Sequence, residues 1–352
     1  VLPQSQDDYL DEGYFRAGHT IRKTRFVFVD QDFWSTVWSR VNLQTYSLRK
    51  SQRKLWNKVT KQFTYSVQPY EDLEDQHQVY HIYQKNHPLD VGETLHDIFG
   101  RHQPTHDFGT HTVRIYKDEE LVGFSLFDLG EDSIASLMGC YLPEYAGHSL
   151  GYFSMLAELN FGRDKGLSFY HPGYCVPGVA AFEYKLRLPN LEGKSYINED
   201  WQSMDDLLKL SLPKTLLIEK LEALQFALRI NGVVHERVYT PLYEVLPESQ
   251  YIYGPFPHPV MIKLTDENHF GQIFISYDLV KDRYEAYIGQ AIADLKFELD
   301  LADFVAKLPK NSDLQLFEMR GLIYVSTNEA ALATHLRPKP LRDHLKKLFD
   351  LE

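Results

Sequence analysis

Cysteine is nearly missing from this chain: only Cys140 and Cys175 occur among its 352 residues. Two thiols cannot build a disulfide framework or a cysteine-based zinc site, and a reducing cytoplasm is the compartment they imply. No apolar run reaches the length needed to span a bilayer, and no charged-then-apolar leader opens the chain, so no membrane partner is expected. Net positive charge is lacking too. A formal charge of −12 excludes a general nucleic-acid coat. Past about residue 200, repeats and low-complexity tracts are also absent.

What is there is unevenly spread. Residues 16–65 hold eleven lysines and arginines, opposed only by Asp30 and Asp32. A basic lobe on an acidic body suits a protein that touches polyphosphate at one place; a solvated basic face is the plainer alternative. Within the lobe Arg25–Val29 reads as a short strand and Thr36–Tyr46 as a longer one, with Arg40 on its polar face. Ser47–Phe63 switches to helical period. Leu55, Val59 and Phe63 make an apolar stripe there, and Lys50, Lys54, Lys58 and Lys61 make a cationic rail.

The chain is long enough for two or three compact units, expected at residues 1–66, 67–200 and 201–352. The middle segment opens with helices over Glu71–Asn86 and Glu93–Phe99, then a His-, Pro- and Gly-rich loop from Gly100 to Gly109. Val113–Tyr116, Leu121–Asp128 and Ile134–Tyr141 form a three-strand meander. A helix opens at Ser149, read as a hydroxyl N-cap, and is closed by Gly166; strands follow at Ser168–Tyr170 and Gly173–Val176. Meander, helix and a further strand make an α+β, N-acetyltransferase-like (GNAT-like) mixed-sheet core. There the helix start offers free N–H groups to an anionic or carbonyl oxygen. Beyond residue 200, helices over Trp201–Asn231 interrupted at Pro213, a proline-rich connection over Pro241–Pro259, and strands at Val260–Leu264, Gln272–Tyr277, Arg283–Ile288 and Leu314–Val325 are expected, with a helix at Leu301–Leu308. They form an additional α+β domain without a chemical motif.

Three segments in register resemble the aminoacyl-tRNA–protein transferases, the arginyltransferases and their bacterial leucyltransferase relatives. They are Tyr9–Gly18, similar to the opening "L-x-x-G-F-R-R-S-G"; Arg40-Val41 with Ser51-Gln52-Arg53-Lys54, similar to "R-V … S-R-S-Q-R-R"; and Ser149-Leu150-Gly151-Tyr152-Phe153-Ser154 with Gly166-Leu167, Gly173-Tyr174 and Tyr184-Lys185, similar to "S-L-G-x-Y-S … G-L-P … L-G-Y … M-x-Y-K". The likeness spans roughly residues 9–190. The chain departs from the pattern where Leu142 replaces the aspartate of "Y-D-P" and Ala181-Phe182 replaces a lysine. The family's N-terminal cysteine cluster, associated with metal or iron–sulfur binding, has no counterpart in Val27–Val37. No cofactor is therefore expected.

The resemblance implies transfer of an amino acid, arginine rather than leucine by family habit, from charged tRNA to the α-amine of proteins with acidic N-terminal residues. Joining an activated ester to an amine of pKa roughly 7.7–8.0 needs a neutral amine close to the ester carbonyl and donors for the oxyanion. Ser149, Leu150 and Gly151 at the helix start are the candidates for ordering the ester. Asp128 is the candidate holder of the acceptor amine or of a cationic donor side chain, and Lys185 receives the acidic side chain. Tyr141 and Tyr174 line the pocket or stack on adenine. Arg40, Lys50, Gln52, Arg53, Lys54 and Lys58 contact tRNA. Two rival readings stand beside this one. A coenzyme A-dependent N-acetyltransferase would use the glycines of Tyr145–Gly151 for pyrophosphate; a non-catalytic relative would bind tRNA or a partner only. His77 and His81, or His102, His106 and His111 with Asp107, have metal-compatible spacing but no familiar flanking chemistry. No metal is expected, and chelators should leave stability untouched.

Overall fold

The computed structural model describes residues 3–18, 20–86, 92, 94–99, 108–240, 258–265, 271–291 and 317–348. Their contacts group the chain into two compact units, one of residues 1–25 and 36–210, the other of residues 26–35 and 211–352. These divisions differ from the sequence boundaries at 66 and 200. Residues 37–42 pair on both edges inside a large sheet, which makes that part of the basic lobe a piece of the core.

In chain order the first elements are α1 (Pro3–Asp11), β1 (Phe15–Ala17), β2 (Thr20–Arg22), β3 (Phe26–Val29), β4 (Asp32–Ser35), β5 (Val37–Asn42), α2 (Lys50–Thr60), β6 (Thr64–Pro69) and α3 (Glu74–Asn86). A 3-10 turn over Leu95–Phe99 precedes β7 (Thr110–Lys117), β8 (Glu120–Leu129), β9 (Ser133–Tyr141), α4 (Leu150–Asp164), β10 (Phe169–Cys175), β11 (Leu191–Ser195) and β12 (Asn198–Ser203). Strands β6 to β9 form an antiparallel meander at one side of an eight-stranded sheet ordered β12-β11-β5-β10-β9-β8-β7-β6. Nearly every residue of β8 is buried, as expected of a strand covered on both faces.

Helix α4 crosses between β9 and β10, which pair in parallel, so the core has the meander–helix–strand order of an N-acetyltransferase-like fold. The helix is largely buried, which its sequence allows: Leu150, Phe153, Met155, Leu156 and Leu159 spread apolar side chains around it, with Ser154, Glu158 and Asn160 buried among them. Gly162 lets it approach the sheet, since a Cβ there would lie 2.8 Å from Leu43 and 2.9 Å from Ile134. Gly166 ends it at φ +79°, with the N–H groups of Gly166 and Leu167 turned back to the carbonyls of Arg163 and Gly162.

The second unit has a five-stranded antiparallel sheet, β13 (His235–Tyr239), β14 (Val260–Leu264), β15 (Gln272–Asp278), β16 (Arg283–Ala291) and β17 (Phe317–Ser326), in that order. Val238, Met261, Phe274 and Tyr287 form a core cluster there. A short α5 (Met204–Leu207) precedes the long α6 (Pro213–Ile230), and α7 (Glu329–His335) and α8 (Pro338–Leu348) follow β17. Pro213 therefore starts a helix, where a missing N–H costs nothing, and does not interrupt one. Trp201, expected in a helix, lies in β12 because residues 198–203 pair with β11. The expected helix at Leu301–Leu308 and most of the Pro241–Pro259 connection lie outside the described residues.

Candidate functional site

The site begins where two parallel strands part. Strands β9 and β10 pair only over Phe169–His171 against Ser133–Ala135. Pro172 has no N–H to continue the ladder, and after the irregularity between Tyr170 and Gly173 the rest of β10 pairs with β5 alone. The far end of β9 and the far half of β10 thus diverge, and the first turn of α4 lies by that divergence: a Cβ on Gly151 would sit 3.3 Å from the Tyr141 ring.

A 3-10 turn over Pro143–His148 leads into α4 through Ser149, whose backbone is left-handed at φ 56°, ψ 42°. The expected hydroxyl cap is corrected here. In that conformation the Ser149 side chain makes no hydrogen bond to the helix, and the residue is exposed. A left-handed non-glycine residue costs about 1–2 kcal/mol. The first N–H groups of α4, those of Leu150 and Gly151 among them, have no acceptor within the helix.

Tyrosines line this region. Tyr83 on α3 meets Tyr141 at 5.8 Å, and Tyr174 stacks on Phe182 at 5.7 Å and meets Phe15 at 5.5 Å. Tyr184 lies within electrostatic reach of Tyr141, Tyr174 and Glu158. Lys185 sits in a 3-10 turn over Ala180–Arg187. Its Nζ donates to the Tyr174 carbonyl at 3.0 Å and lies over the Tyr174 and Phe182 rings. Burial lowers its pKa, against the opposing pull of Cys175 and Glu158. The structure thus gathers Tyr141, Tyr174, Lys185 and the start of α4, and adds Tyr83, Tyr184 and Glu158, which sequence reasoning missed.

Glu158 is the notable addition. It is fully buried on α4 and accepts hydrogen bonds from Ser125 Oγ at 2.5 Å and Tyr170 Oη at 2.7 Å. Burial pushes its pKa up to about 7, although Ser125, Tyr170, Ser136 and the Lys185 charge all favour the carboxylate. Both thiols are buried and free, and burial raises the pKa of each, so neither Cys140 nor Cys175 is a ready thiolate nucleophile.

Other expected site residues are placed differently. Asp128 is buried at 0% exposure, with Arg16 Nη1 2.9 Å and Thr110 Oγ1 2.6 Å from its Oδ1. Ser125 and Phe127 face α4, so Asp128 points to the opposite sheet face, where its charge is paired with Arg16. Arg40 bonds Asp11 at 2.5 Å and Glu192 at 2.7 Å and is sandwiched by Phe169 and Trp201. Its guanidinium is committed within the fold. Gln52 is not on an exposed face either. Only 3% exposed, it accepts from the Arg49 N–H, half of a capping box, and donates to Tyr152 Oη at 2.8 Å and the Arg187 carbonyl at 3.3 Å. Trp56 meets Phe153 at 4.9 Å. Helix α2 is thereby fastened to the first turn of α4, and its other face presents Lys50, Arg53, Lys54 and Lys58, all exposed.

The comparisons with known proteins fall on the same region. The family model described as "Arginine-tRNA-protein transferase, C terminus" matches residues 59–193. Residues 59–193 are thus similar to the aminoacyl-tRNA–protein transferases. An aspartate/glutamate leucyltransferase of Ruegeria sp. strain TM1040 is 27% identical over 172 residues, 48% of this chain and 62% of that protein. Another, of Helicobacter hepaticus, is 34% identical over 86 residues, 24% of this chain and 35% of that protein. The chain therefore spans less than two thirds of these curated relatives. Among solved structures, L-PGS from Bacillus licheniformis has a TM-score of 0.31 at 16% identity, covering 50% of this chain and 52% of that one. FemX has 0.33 at 9%, covering 50% and 61%. At such scores these likenesses carry no argument.

A metal or iron–sulfur cluster of the family's cysteine kind does not fit this chain. Residues 27–37 contribute Val27, Phe28, Phe33 and Trp34 to the β3–β4 hairpin and no sulfur, and the two thiols lie on β9 and β10. Among the described residues no helix is long and apolar enough to cross a membrane.

Proposed function

We propose that this chain transfers an amino acid from charged tRNA to the α-amine of a protein acceptor in a reducing cytoplasm. The observation that carries this is the Gln52–Tyr152–Arg187 junction. It couples a helix with an exposed cationic face to the start of α4, beside a tyrosine-lined divergence in the sheet. In this reading Lys50, Arg53, Lys54 and Lys58 meet backbone phosphates, and the N–H groups of Leu150 and Gly151 order the ester carbonyl. Tyr141 and Tyr174 flank the terminal adenosine or the aminoacyl group.

The donor is better read as leucine than as the expected arginine. An arginine side chain requires a free carboxylate. Asp128 faces away and is bound to Arg16, and Glu158 is saturated by hydroxyls inside the core. The relatives named leucyltransferases support the same choice. Lys185 uses one of its three N–H donors on Tyr174, which leaves donors for an acidic acceptor side chain.

The test uses radiolabelled leucyl- and arginyl-tRNA with peptides beginning in Asp, Glu or Ala. Label should pass from leucyl-tRNA to the acidic peptides, and Lys185→Met should abolish the preference for Asp and Glu over Ala. Transfer of arginine alone would overturn the donor assignment. Tight tRNA binding without transfer, or dependence on acetyl-coenzyme A, would overturn the activity.

A further inference from the structure

Fifteen histidines are many for a chain with so few cysteines, and the transfer site uses none of them. Two meet at one carboxylate. Asp72 stands just ahead of α3, His77 lies in the early part of that helix, and His96 belongs to the 3-10 turn Leu95–Phe99. His77 Nε2 is 2.6 Å from Asp72 Oδ1 and His96 Nε2 is 3.1 Å from Oδ2. The two rings stand edge to face at 4.8 Å. One ligand atom from each of the three residues falls within 4.8 Å of the other two. Ligands at about 2.0–2.2 Å around a tetrahedral ion lie some 3.3–3.5 Å apart, so a small adjustment of the carboxylate admits one.

We propose that Asp72, His77 and His96 form a divalent transition-metal site, with zinc the best match to two imidazoles and one carboxylate. The set differs from both histidine groupings visible in the sequence. His81, the helical partner expected for His77, is not part of it, because the third ligand arrives from another segment of chain. The surroundings are those of a held ligand. Tyr70 Oη donates to Asp72 Oδ1 at 3.0 Å and fixes the carboxylate from behind. The Tyr70 ring in turn lies against Phe99 at 5.0 Å. Side-chain exposures of 26% for His77, 38% for Asp72 and 45% for His96 leave room for water to complete the coordination.

The role is a clasp. Residues 77 and 96 bracket most of α3 and the segment after it, so an ion there ties the start of α3 to the turn that carries Phe99. Phe99 is one of two rings beneath Arg16, the partner of buried Asp128. The same helix carries Tyr83 into the tyrosine-lined region. Metal would thus stabilise the wall of the transfer site without touching the reacting atoms.

The full chain, free of any histidine tag and stripped with chelator, should be titrated with Zn2+ by calorimetry and its melting temperature followed. One ion should bind per chain and raise the melting temperature, and Co2+ should give the visible absorption of a tetrahedral or five-coordinate site. His77→Ala, His96→Ala and Asp72→Asn should each weaken binding at least tenfold and remove the thermal shift, while His81→Ala keeps both. Each altered side chain is partly exposed, so folding is checked by circular dichroism before titration. Absence of stoichiometric binding to the unaltered chain, or binding unchanged in His96→Ala, would overturn the proposal.

Discussion

Replacing Glu158 by glutamine tests the electrostatics at the centre of the core. Ser125 and Tyr170 hydroxyls hold this carboxyl under full burial, and its pKa stands at about 7, well above an ordinary glutamate. The folded chain therefore keeps a proton that the unfolded chain has already released. Between about pH 4.5 and 7 the native state binds more protons, so stability must fall as pH rises through that window. The gap corresponds to about 3 kcal/mol, an order-of-magnitude figure.

A glutamine in this place would have the same shape and no charge. Its carbonyl can accept one hydroxyl, and its NH2 needs a hydroxyl turned to accept, which costs about 1–2 kcal/mol if it fails. Glu158→Gln should thus be equal to or slightly less stable than the parent at pH 4.5, and more stable by pH 8. Urea unfolding of both proteins at several pH values reads the difference, in which Asp128 and every other shared group cancel. A stability difference that stays constant from pH 4.5 to 8 would refute the reasoning, because Glu158 would then titrate alike in both states.

Three further outcomes are expected. Asp128→Asn leaves Arg16, whose side chain is 4% exposed, without its counter-charge, and should cost about 3–5 kcal/mol in urea unfolding; a loss under about 1 kcal/mol would show that the pair is dispensable. Ser149→Gly relieves a left-handed residue and should stabilise by about 1 kcal/mol. If the hydroxyl helps to order the ester, leucyl transfer falls in the same variant, whereas loss of stability would deny the strain. Arg53→Ala with Lys54→Ala should weaken tRNA binding and flatten its salt dependence by roughly 0.7–0.9 log units per decade for each cation removed; an unchanged slope would move the RNA contact off α2.

Local patterns carried the elements, and parity carried more than was used. The meander was legible because Val113, Ile115 and Leu121–Phe127 alternate or run apolar between short polar turns, and the structure extends those strands by only a few residues. Gln52 was readable in principle. It stands three residues before Leu55 and seven before Val59, on the apolar side of α2, which foretells burial for a polar residue. Asp128 was readable too, since Ser125 and Phe127 share a face that Asp128 cannot share. What no local pattern contains is which distant segment supplies the partner. Arg16 reaches Asp128 across 112 positions, and Glu192 meets Arg40 across 152. Ser149 failed for another reason. Serine ahead of a helix is usually a cap, but here Ser149 also ends the preceding 3-10 turn in a left-handed conformation, and its side chain caps nothing.

Counting charge along the sequence overstated the basic lobe, and the correction sharpens the functional reading. Arg16 and Arg40 neutralise carboxylates inside the first unit, and Lys23 and Arg25 lie over the rings of Trp38 and Tyr196. Arg16 and Arg40, paired with carboxylates, organise the fold and contribute little field outside it. The exposed positive charge of this stretch is concentrated on α2, where residues four apart rise about 6 Å, near the spacing of phosphates along one strand. That helix is fixed to the start of α4 by Gln52, Trp56 and Tyr152, each held by hydrogen bonds or ring packing. In the proposed reading, a backbone gripped by α2 is thereby set at a defined distance from Leu150 and Gly151. Binding energy from phosphates would then serve orientation at the ester, one of the requirements of this chemistry.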